Sequence, residues 1–584
     1  MMPVTSRDAL FRIFFKLSVA LSVGVALSLG CSGDTDDGGT EQIDTKVVSV
    51  KIDEVSGVFA FGHLTDRYPL TARAFNANNE EVVVNSLVWS SSEENVARVN
   101  AEGLVQPIGE GNVRITASIG DVKGQVDLVL QMKPREAFAT GGTLALLHVN
   151  VIPMTENVVL EDYTVIVENG VITQMGPFAE ITIPTRAEEL DLSGKYLMPG
   201  MADMHTHIGT NVTESGAGRN TALWDLTSKG QLLSYAANGV TTVLNNGDFG
   251  EPINSWKEDV LENRYPGPAI YAAAWARGPN DGNALGRDLT SPQEAIDFIR
   301  GIKSGGYDFV KLYSGTPDFS VGPMLSEARN QGMGRVGHFP FQVGSSDALS
   351  MGMDLVAHAE AYYWDFFAFQ IKDSEIPAAV NFTKANGTYI STTLGLSKTL
   401  SEAWCNDVEG INRLLSRPSL AYEHRPTSVQ IWLNGLNGNR WNPAGCSIGQ
   451  YTPVHDFVKR YTRAFYDAGI PLVIGTDSPT VLGVAGFSMH REFEVLSDMG
   501  INNYEILKMA TSNAGDFIRS QLFSPLDFGK IAVGFRADLM VLDQNPLENL
   551  ENLKRPAGVM LRGNWYTRDY FDQELEKLRI AYGN

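Results

Sequence analysis

The pattern of apolar and polar positions divides the chain into an all-β part and a part in which strands alternate with helices. Between residues 46 and 132, short runs such as "VVSVKI", "VWSSS" and "NVRITASI" alternate apolar and polar positions and are separated by turn residues. Alternation with period two, interrupted every few residues, is typical of short antiparallel strands. The pattern therefore predicts a small β-sandwich in this segment.

From residue 198 to about 523, apolar strand-like runs alternate with longer amphipathic runs, which predicts βα units and a parallel sheet. Eight of the strand-like runs end in "ADMHTH", "VTTVLNN", "AIYAAA", "DFVKLY", "GRVGHF", "DLVAHA", "TYISTT" and "PLVIGTD". Eight such units predict a closed (β/α)8 TIM barrel with its functional groups at the carboxyl ends of the strands. Residues 394–453 form an insertion before the eighth strand, and the flanking segments 137–197 and 524–575 are strand-rich.

The N-terminus has the features of an export signal. Arg7, Arg12 and Lys16 precede the apolar run 17–30, which is shorter than the roughly 20 residues that a membrane span needs. "ALSLGC" resembles a bacterial lipoprotein signal, except for Ser28 where Leu is usual. We therefore predict a signal peptide over residues 1–30, lipidation of Cys31 and a disordered polar tether over 31–45. The alternative is an ordinary signal peptide with an incidental cysteine.

The net charge and the cysteines restrict the binding partners and the cellular location that we expect for the protein. The formal net charge is −22, from 46 basic and 68 acidic residues, and this field repels nucleic acid and anionic lipid. We expect no nucleic-acid partner, and membrane contact only through the lipid anchor of a periplasmic or cell-surface protein. Because exported proteins meet an oxidising environment, we predict a disulfide between Cys405 and Cys446, both within the insertion. Two unrelated buried thiols are the alternative.

Titratable side chains collect at the predicted strand ends. Two histidines one residue apart on a strand project to the same face, and they stand at the end of the first barrel strand. Further candidates end the fourth, fifth, sixth and eighth strands, where a barrel would bring them to one mouth. Imidazole and carboxylate are fitting ligands for zinc and related divalent ions. The candidate metal ligands are His205, His207, Lys311, His338, His358 and Asp477.

Several motifs resemble the amidohydrolase superfamily: "PGMADMHTH", "GVTTV", "GTDSP", "ATSNAGDF" and "GKIAVGFRADLMVLD". The resemblance extends from about residue 137 to the C-terminus. It implies a (β/α)8 barrel with a composite β-sandwich built from both flanking segments. It also implies two divalent metal ions, with zinc as the expected metal, bridged by Lys311 after its carboxylation.

The resemblance further implies hydrolysis of an amide bond in a small peptide, an N-acyl amino acid or a cyclic amide, by a hydroxide that bridges the two ions. Asp477 would act as base and then as acid, and Tyr313 would either donate to the oxyanion or pack behind the site. The stretch "FSMHREFEVLSDMGINNYEILKMATSNA" is similar to the imidazolonepropionase and Xaa-Pro dipeptidase branch. His490 and Arg491 lie within it, as substrate contacts or as helix-surface residues.

Two loops depart from that branch and leave the substrate open. Leu244, Asn245 and Asn246 replace the usual Arg-Asp after the second strand, and "ARGPNDGNALG" replaces a Gly-Gly-His after the third. Lactone, carbamate or phosphotriester hydrolysis would use the same metal pair. The sequence also leaves homo-oligomerisation open.

The N-terminal segment 46–132 resembles the group 2 bacterial immunoglobulin-like domain, which implies a spacer or a surface-adhesion module. A rival to the enzyme hypothesis is therefore a surface-binding protein with an inert barrel. An inert barrel would be free to lose its ligands, and here all six positions are filled.

Overall fold

The computed structural model of the protein describes residues 46–583, apart from internal gaps. The predicted signal peptide, tether and lipidated Cys31 lie outside the described residues. Within the described part of the chain, no helix is both long and apolar enough to span a bilayer. The gaps are 54–57, 62–67, 85–86, 95, 102, 108–110, 133–141, 210–220, 248–251, 277–288, 424–428, 438–443 and 523–526.

The N-terminal segment is all-β, as its alternating pattern predicts. Its strands form three small sheets, ordered β1-β4-β5, β2-β10-β9-β6 and β3-β8-β7. Alternate residues of β9 are buried, among them Val113, Ile115 and Ala117, and they pack in the core of this segment. The strands are β1 Ser49–Ile52, β2 Val58–Phe61, β3 Tyr68–Pro69, β4 Ala72–Phe75, β5 Glu81–Val82, β6 Val88–Ser91, β7 Ala97–Val99, β8 Leu104–Pro107, β9 Gly111–Ile119 and β10 Val122–Met132.

A second sheet combines strands from both sides of the barrel sequence, in the order β13-β12-β11-β15-β24-β25-β26, with β14 paired to β11. Its centre is the antiparallel pairing of β15 with β24, in which Tyr196 lies opposite Leu542. The strands are β11 Thr143–Val151, β12 Leu160–Glu168, β13 Val171–Pro177, β14 Glu188–Asp191, β15 Tyr196–Pro199, β24 Leu539–Leu542, β25 Gly558–Leu561 and β26 Asn564–Thr567. We call this the composite sheet.

Eight parallel strands form a nearly closed barrel, which confirms the predicted fold class. Neighbours pair in chain order from β16 to β23, and the amide of Met204 donates to the carbonyl of Ile474 across the closing edge. All eight predicted strand runs contain an observed strand. These strands are β16 Met201–Thr206, β17 Val240–Asn245, β18 Ala269–Ala276, β19 Phe309–Leu312, β20 Gly334–Gly337, β21 Leu355–Val356, β22 Tyr389–Ser391 and β23 Leu472–Val473.

Helices cover the barrel and build the insertion. Their amphipathic spacing is clear in the helix before β23, where Val454, Phe457, Val458 and Tyr461 are buried at intervals of three or four. The helices are α1 Thr221–Ala237, α2 Pro252–Leu261, α3 Pro292–Ser304, α4 Asp318–Asn330, α5 Gly344–Ser350, α6 Ala361–Trp364, α7 Ile376–Asn386, α8 Leu394–Ala403, α9 Val408–Leu415, α10 Gln430–Asn437, α11 Thr452–Asp467, α12 Ser488–Asp498, α13 Asn503–Ala510, α14 Ser512–Gln521 and α15 Arg568–Ala581. The insertion contains α8 to α10, and a disulfide joins Cys405 to Cys446.

The C-terminal end differs from the strand-rich segment predicted to residue 575. Residues 568–581 form α15, which begins where the Thr567 side chain accepts a hydrogen bond from the amide of Tyr570. Phe571, Leu575 and Leu578 lie on its buried face at helical spacing. They pack with residues of α1 and β25, so this helix covers the junction between composite sheet and barrel.

Candidate metal centre and active site

The paired histidines of β16 turn their Nε2 atoms toward the same point. Nδ1 of His205 lies 2.7 Å from the carbonyl oxygen of Ala357, and Nδ1 of His207 lies 3.2 Å from that of Gly247. Because a carbonyl oxygen only accepts, both Nδ1 atoms must carry the proton in the neutral rings. Their Nε2 atoms, which are 3.2 Å apart, therefore both carry lone pairs.

Asp477 brings a third acceptor to that point. Its Oδ1 lies 3.1 Å from Nε2 of His205 and 3.0 Å from Nε2 of His207. The backbone of Asp477 adopts the left-handed conformation, with φ of 58°, which Asp tolerates better than most residues. This bend lets the amide of Asp477 donate to the carbonyl of His205 while the carboxylate turns back over the histidines. Three converging lone pairs repel one another unless a cation lies between them.

Two further histidines and a lysine complete the group. Nδ1 of His338 lies 3.2 Å from the Ser314 hydroxyl, while its buried Nε2 has no hydrogen-bond partner among the described residues. The His358 ring lies 4.4 Å from that of His205 and 4.9 Å from that of His338, centroid to centroid. Nζ of Lys311, on β19, lies 3.4 Å from Nε2 of His205. All six predicted ligand positions thus meet at the carboxyl end of the barrel.

Burial keeps three of the histidines neutral and therefore able to act as ligands. It lowers the pKa of His205 to about 4, with Lys311 adding to the effect, and it lowers the pKa values of His338 and His358 well below their usual range. Burial opposes ionisation of Asp477, but protonated His205 and His207 would outweigh it and hold the pKa of its carboxyl well below the usual range, so the carboxyl loses its proton before either ring does. Neutral imidazoles and an ionised carboxylate are the forms that bind a divalent cation.

Supporting residues hold these ligands in place, and the sequence analysis did not assign them. The carboxylate of Asp203 accepts hydrogen bonds from the Thr476 hydroxyl at 2.5 Å and from the amides of Thr476 and His205. Burial raises the pKa of Asp203 to about 7. The position of Asp203 inside "ADMHTH" was the available signal, since a carboxylate two residues before the first ligand shares its face of the strand.

Gly247 is a second supporting residue. Its φ is 112°, and a Cβ atom there would lie 1.2 Å from Nε1 of Trp275. That Nε1 donates to the carbonyl of Asn246 at 2.7 Å, so the indole lies directly against the backbone that orients His207. Only glycine permits this approach.

The insertion reaches the back of the site through Tyr451. Its hydroxyl donates to Oε1 of Glu360 at 2.7 Å, two residues after the ligand His358. Its ring stacks on Trp404 with a centroid separation of 4.7 Å, next to the disulfide at Cys405. Burial raises the pKa of Glu360 to about 7. The disulfide-closed insertion is therefore packed against the segment that carries His358.

The remaining predicted residues have separate environments. The ring of Tyr313 lies 4.7 Å from that of His338, so Tyr313 belongs to the group. Both ring nitrogens of His490 are buried, and its nearest charged groups are Lys554 and Glu551 of the C-terminal segment. Nε of Arg491 donates to the Gly395 carbonyl at 3.2 Å, and its guanidinium pairs with Glu402 at 2.9 Å.

These contacts hold Arg491 against α8. His490 and Arg491 both lie between the positions Met489, Glu492 and Phe493, which α12 turns into the core. His490 is left facing the C-terminal segment and Arg491 facing α8.

The donor set fits a divalent metal ion. His205, His207 and Asp477 offer two imidazole nitrogens and a carboxylate oxygen, the ligand types of zinc and related ions. One ligand atom each of His205, His358 and Asp477 lie within 4.8 Å of one another. The unpartnered Nε2 of His338 is a further donor on the side of Lys311.

Comparison with known proteins agrees with this geometry. Residues 196–566 match the sequence profile of the amidohydrolase family. No curated protein sequence matches the chain. Among solved structures, a putative prolidase from Bifidobacterium longum is 21% identical with a TM-score of 0.55, and the match covers 75% of this chain and 99% of that one.

Two other solved structures show the same fold. A Xaa-Pro dipeptidase with bound methionine is 18% identical with a TM-score of 0.56, and the match covers 73% of this chain and 100% of that one. A bottromycin amidohydrolase is 22% identical with a TM-score of 0.56, with 76% and 91% covered.

Proposed function

Since this chain belongs to the amidohydrolase family, we propose that it is an exported, metal-dependent hydrolase. Its substrate is an amide bond in a small peptide, an N-acyl amino acid or a cyclic amide. The observation that carries the proposal is the convergence of three acceptor lone pairs, from His205, His207 and Asp477, within 3.0–3.2 Å of one another. Such an arrangement is costly in a buried site unless a cation is bound there.

Each ligand has a defined place in the proposal. His205, His207 and Asp477 would hold one ion, His338 and His358 the other, and Lys311, as a carbamate, would bridge the two. Bound divalent ions would polarise the substrate carbonyl and lower the pKa of a water molecule toward neutrality. A free ammonium could not serve between two cations, so the bridging role of Lys311 requires its carboxylation.

Asp477 is the group that moves the proton. Its carboxylate is ionised at neutral pH, so it can accept a proton from the attacking water and return it to the leaving nitrogen. The carbonyl of Ala357 and that of Gly247 hold the two histidines in one tautomer, which keeps their Nδ1 protons out of this transfer.

The decisive experiment is a substrate panel with the zinc-loaded protein. Xaa-Pro dipeptides, N-acyl amino acids and cyclic amides form one arm, and lactones, carbamates and phosphotriesters form the other. We expect metal-dependent turnover in the amide arm, lost on chelation and in His205→Asn. The control variant is His148→Asn, which removes a histidine from the composite sheet, where it pairs with Asp162.

Three results would contradict the proposal. Turnover of lactones, carbamates or phosphotriesters alone would show that the enzyme hydrolyses a bond other than an amide. A protein that binds two metals but hydrolyses nothing would favour the surface-binding alternative. A His205→Asn variant that keeps full metal content and activity would show that the metal site is assigned to the wrong residues.

A further inference from the structure

Three aromatic side chains stand around the metal ligands on one side of the barrel mouth. Trp275 is near the end of β18, Tyr313 comes directly after β19, and Trp364 is the last residue of α6, which follows β21. The Trp275 ring lies 5.7 Å from that of His207 and 5.5 Å from that of Tyr313, centroid to centroid. The three rings therefore form a wall beside the ligands, which we call the aromatic wall.

The wall continues past the second pair of histidines. The Tyr313 ring lies 4.7 Å from that of His338. The Trp364 ring lies 5.9 Å from that of His338 and 5.8 Å from that of His358. Every member of the wall thus contacts at least one predicted metal ligand.

The side chains of the aromatic wall are more exposed to solvent than those of the predicted ligands. The four histidines and Lys311 are buried, whereas Trp275, Tyr313 and Trp364 are only half-buried. Aromatic rings packed solely to support the ligands would be buried as deeply as the ligands are. The three rings lie 4.7–5.9 Å from the rings of the predicted ligands, so a substrate group held at the metal centre could cover their remaining exposed surface and gain the free energy of apolar burial.

The opposite side of the mouth is polar. It carries the Thr393 hydroxyl, 3.2 Å from Nδ1 of His358, and the Asp477 carboxylate after β23. Because Asp477 must reach the leaving nitrogen, the leaving group lies on this polar side. The substituent on the acyl carbon then projects across the mouth toward the aromatic wall.

We propose that Trp275, Tyr313 and Trp364 form a subsite for a flat, neutral, apolar side chain on the acyl side of the scissile amide. The orientation rests on the proposed function, because it uses Asp477 as the proton donor to the leaving nitrogen. A cationic side chain would be repelled by the divalent ions, and the three rings offer an anionic side chain no cationic partner. The ligand class is therefore an aromatic or similarly flat apolar acyl group.

Hydroxamic acids test the subsite without requiring turnover, since they chelate zinc through the hydroxamate. Affinities of acetohydroxamate and phenylacetohydroxamate for the zinc-loaded protein are measured by calorimetry. We expect the phenyl compound to bind about 10- to 100-fold more tightly, as full burial of an aromatic side chain predicts. Trp364→Leu should lose most of this ratio at unchanged metal content. Trp275→Leu should also lose most of it, with affinities compared per bound metal ion, because Trp275 packs against the backbone that orients His207. The control is Phe369→Ala, which removes an aromatic ring that is 61% exposed on the surface.

Equal affinities for the two hydroxamates, or an undiminished ratio in both tryptophan variants, would overturn the subsite. A parallel series of amides with one leaving group and Ala, Leu or Phe acyl residues tests the orientation. Preference for Phe by about 10-fold in kcat/KM supports it. Hydrolysis without preference refutes the subsite alone, whereas a phenyl advantage in binding with no amide hydrolysed refutes the proposed function and leaves the subsite intact.

Discussion

Glu492, on α12, lies under the barrel mouth with no exposed surface. Its Oε2 accepts a hydrogen bond from the Thr392 hydroxyl at 2.7 Å, and its Oε1 accepts one from the amide of Gly395. Burial raises the pKa of this carboxyl to about 8. We consider Glu492→Gln, because the amide has nearly the same shape and carries no charge. Its oxygen can accept from the amide of Gly395, and its NH2 group can donate to the Thr392 hydroxyl.

The pH dependence follows from the difference between the folded and unfolded pKa values. A pKa raised from 4.5 to about 8 means that the folded protein holds this proton more tightly. Stability from this group is therefore fully present below pH 4.5 and is lost as the pH rises through the folded value. At about 1.4 kcal/mol per pKa unit, keeping Glu492 protonated in the folded protein costs about 1 kcal/mol at pH 5 and about 4 kcal/mol at pH 8, because the unfolded chain ionises. Glu492→Gln should avoid this cost.

Thermal unfolding of both proteins between pH 5 and pH 8 measures the effect. An unfolding entropy of about 0.8 kcal/mol/K, for a unit the size of the matched region, converts the change of about 3 kcal/mol into about 4 °C. The Tm of Glu492→Gln minus that of the wild type should therefore be about 4 °C larger at pH 8 than at pH 5. The effects of other groups that titrate in both proteins cancel in this difference.

The matched control for this experiment is Glu494→Gln on the same helix. Glu494 is 55% exposed and pairs with Lys398, which lowers its pKa, so its Tm difference should stay constant over this range. A Tm difference for Glu492→Gln that does not change with pH would show that this carboxyl is ionised in the folded protein.

Further predictions concern the metal bridge, the Trp275 contact, the disulfide and the anchor. Lys311→Ala should lose most bound metal and activity while Lys311→Glu keeps part of both, as measured by elemental analysis and turnover; two tightly held metals in the alanine variant would exclude a bridging role. Gly247→Ala should reduce metal retention at least 10-fold and change tryptophan fluorescence, because its Cβ would lie 1.2 Å from the Trp275 indole nitrogen. Cys405→Ser should lower the free energy of unfolding by about 2–4 kcal/mol in denaturant titrations, and an unchanged midpoint would contradict this. Cys31→Ser should release the mature protein from the membrane fraction or leave the precursor unprocessed, so normal processing with unchanged detergent partitioning would refute lipidation.

The predictable features were those encoded by strand alternation and by residue type. His205 and His207 share a face because side chains on a strand repeat every two residues, and the eight apolar runs specified a barrel whose strand ends meet. His338 and His358 could be placed at the mouth by the same rule. Local sequence was sufficient there, since each ligand follows directly from its own strand.

The residues that could not be predicted act through contacts between distant segments. Nothing near Trp275 indicates that its indole presses on Gly247, and nothing near Tyr451 indicates its bond to Glu360, 91 positions away. The direction in which His490 points has a similar cause, because the rotation of a helix about its axis depends on which neighbours cover it. Such pairs are decided by tertiary packing, which periodicity alone does not contain.

The composite sheet also determines the order in which the protein can be completed. Lys195 and Asp543, 348 positions apart, form an ion pair at the place where β15 meets β24. During synthesis or export, β15 emerges long before its partner exists, and one of its edges stays unpaired until the segment that begins at Leu539 arrives. Premature termination between Asp477 and Leu539 would therefore leave every predicted metal ligand present in the chain but expose an apolar strand edge, so such fragments should be lost to aggregation or proteolysis. For this enzyme, a strand that follows all of the predicted ligands decides whether the strands that precede them survive.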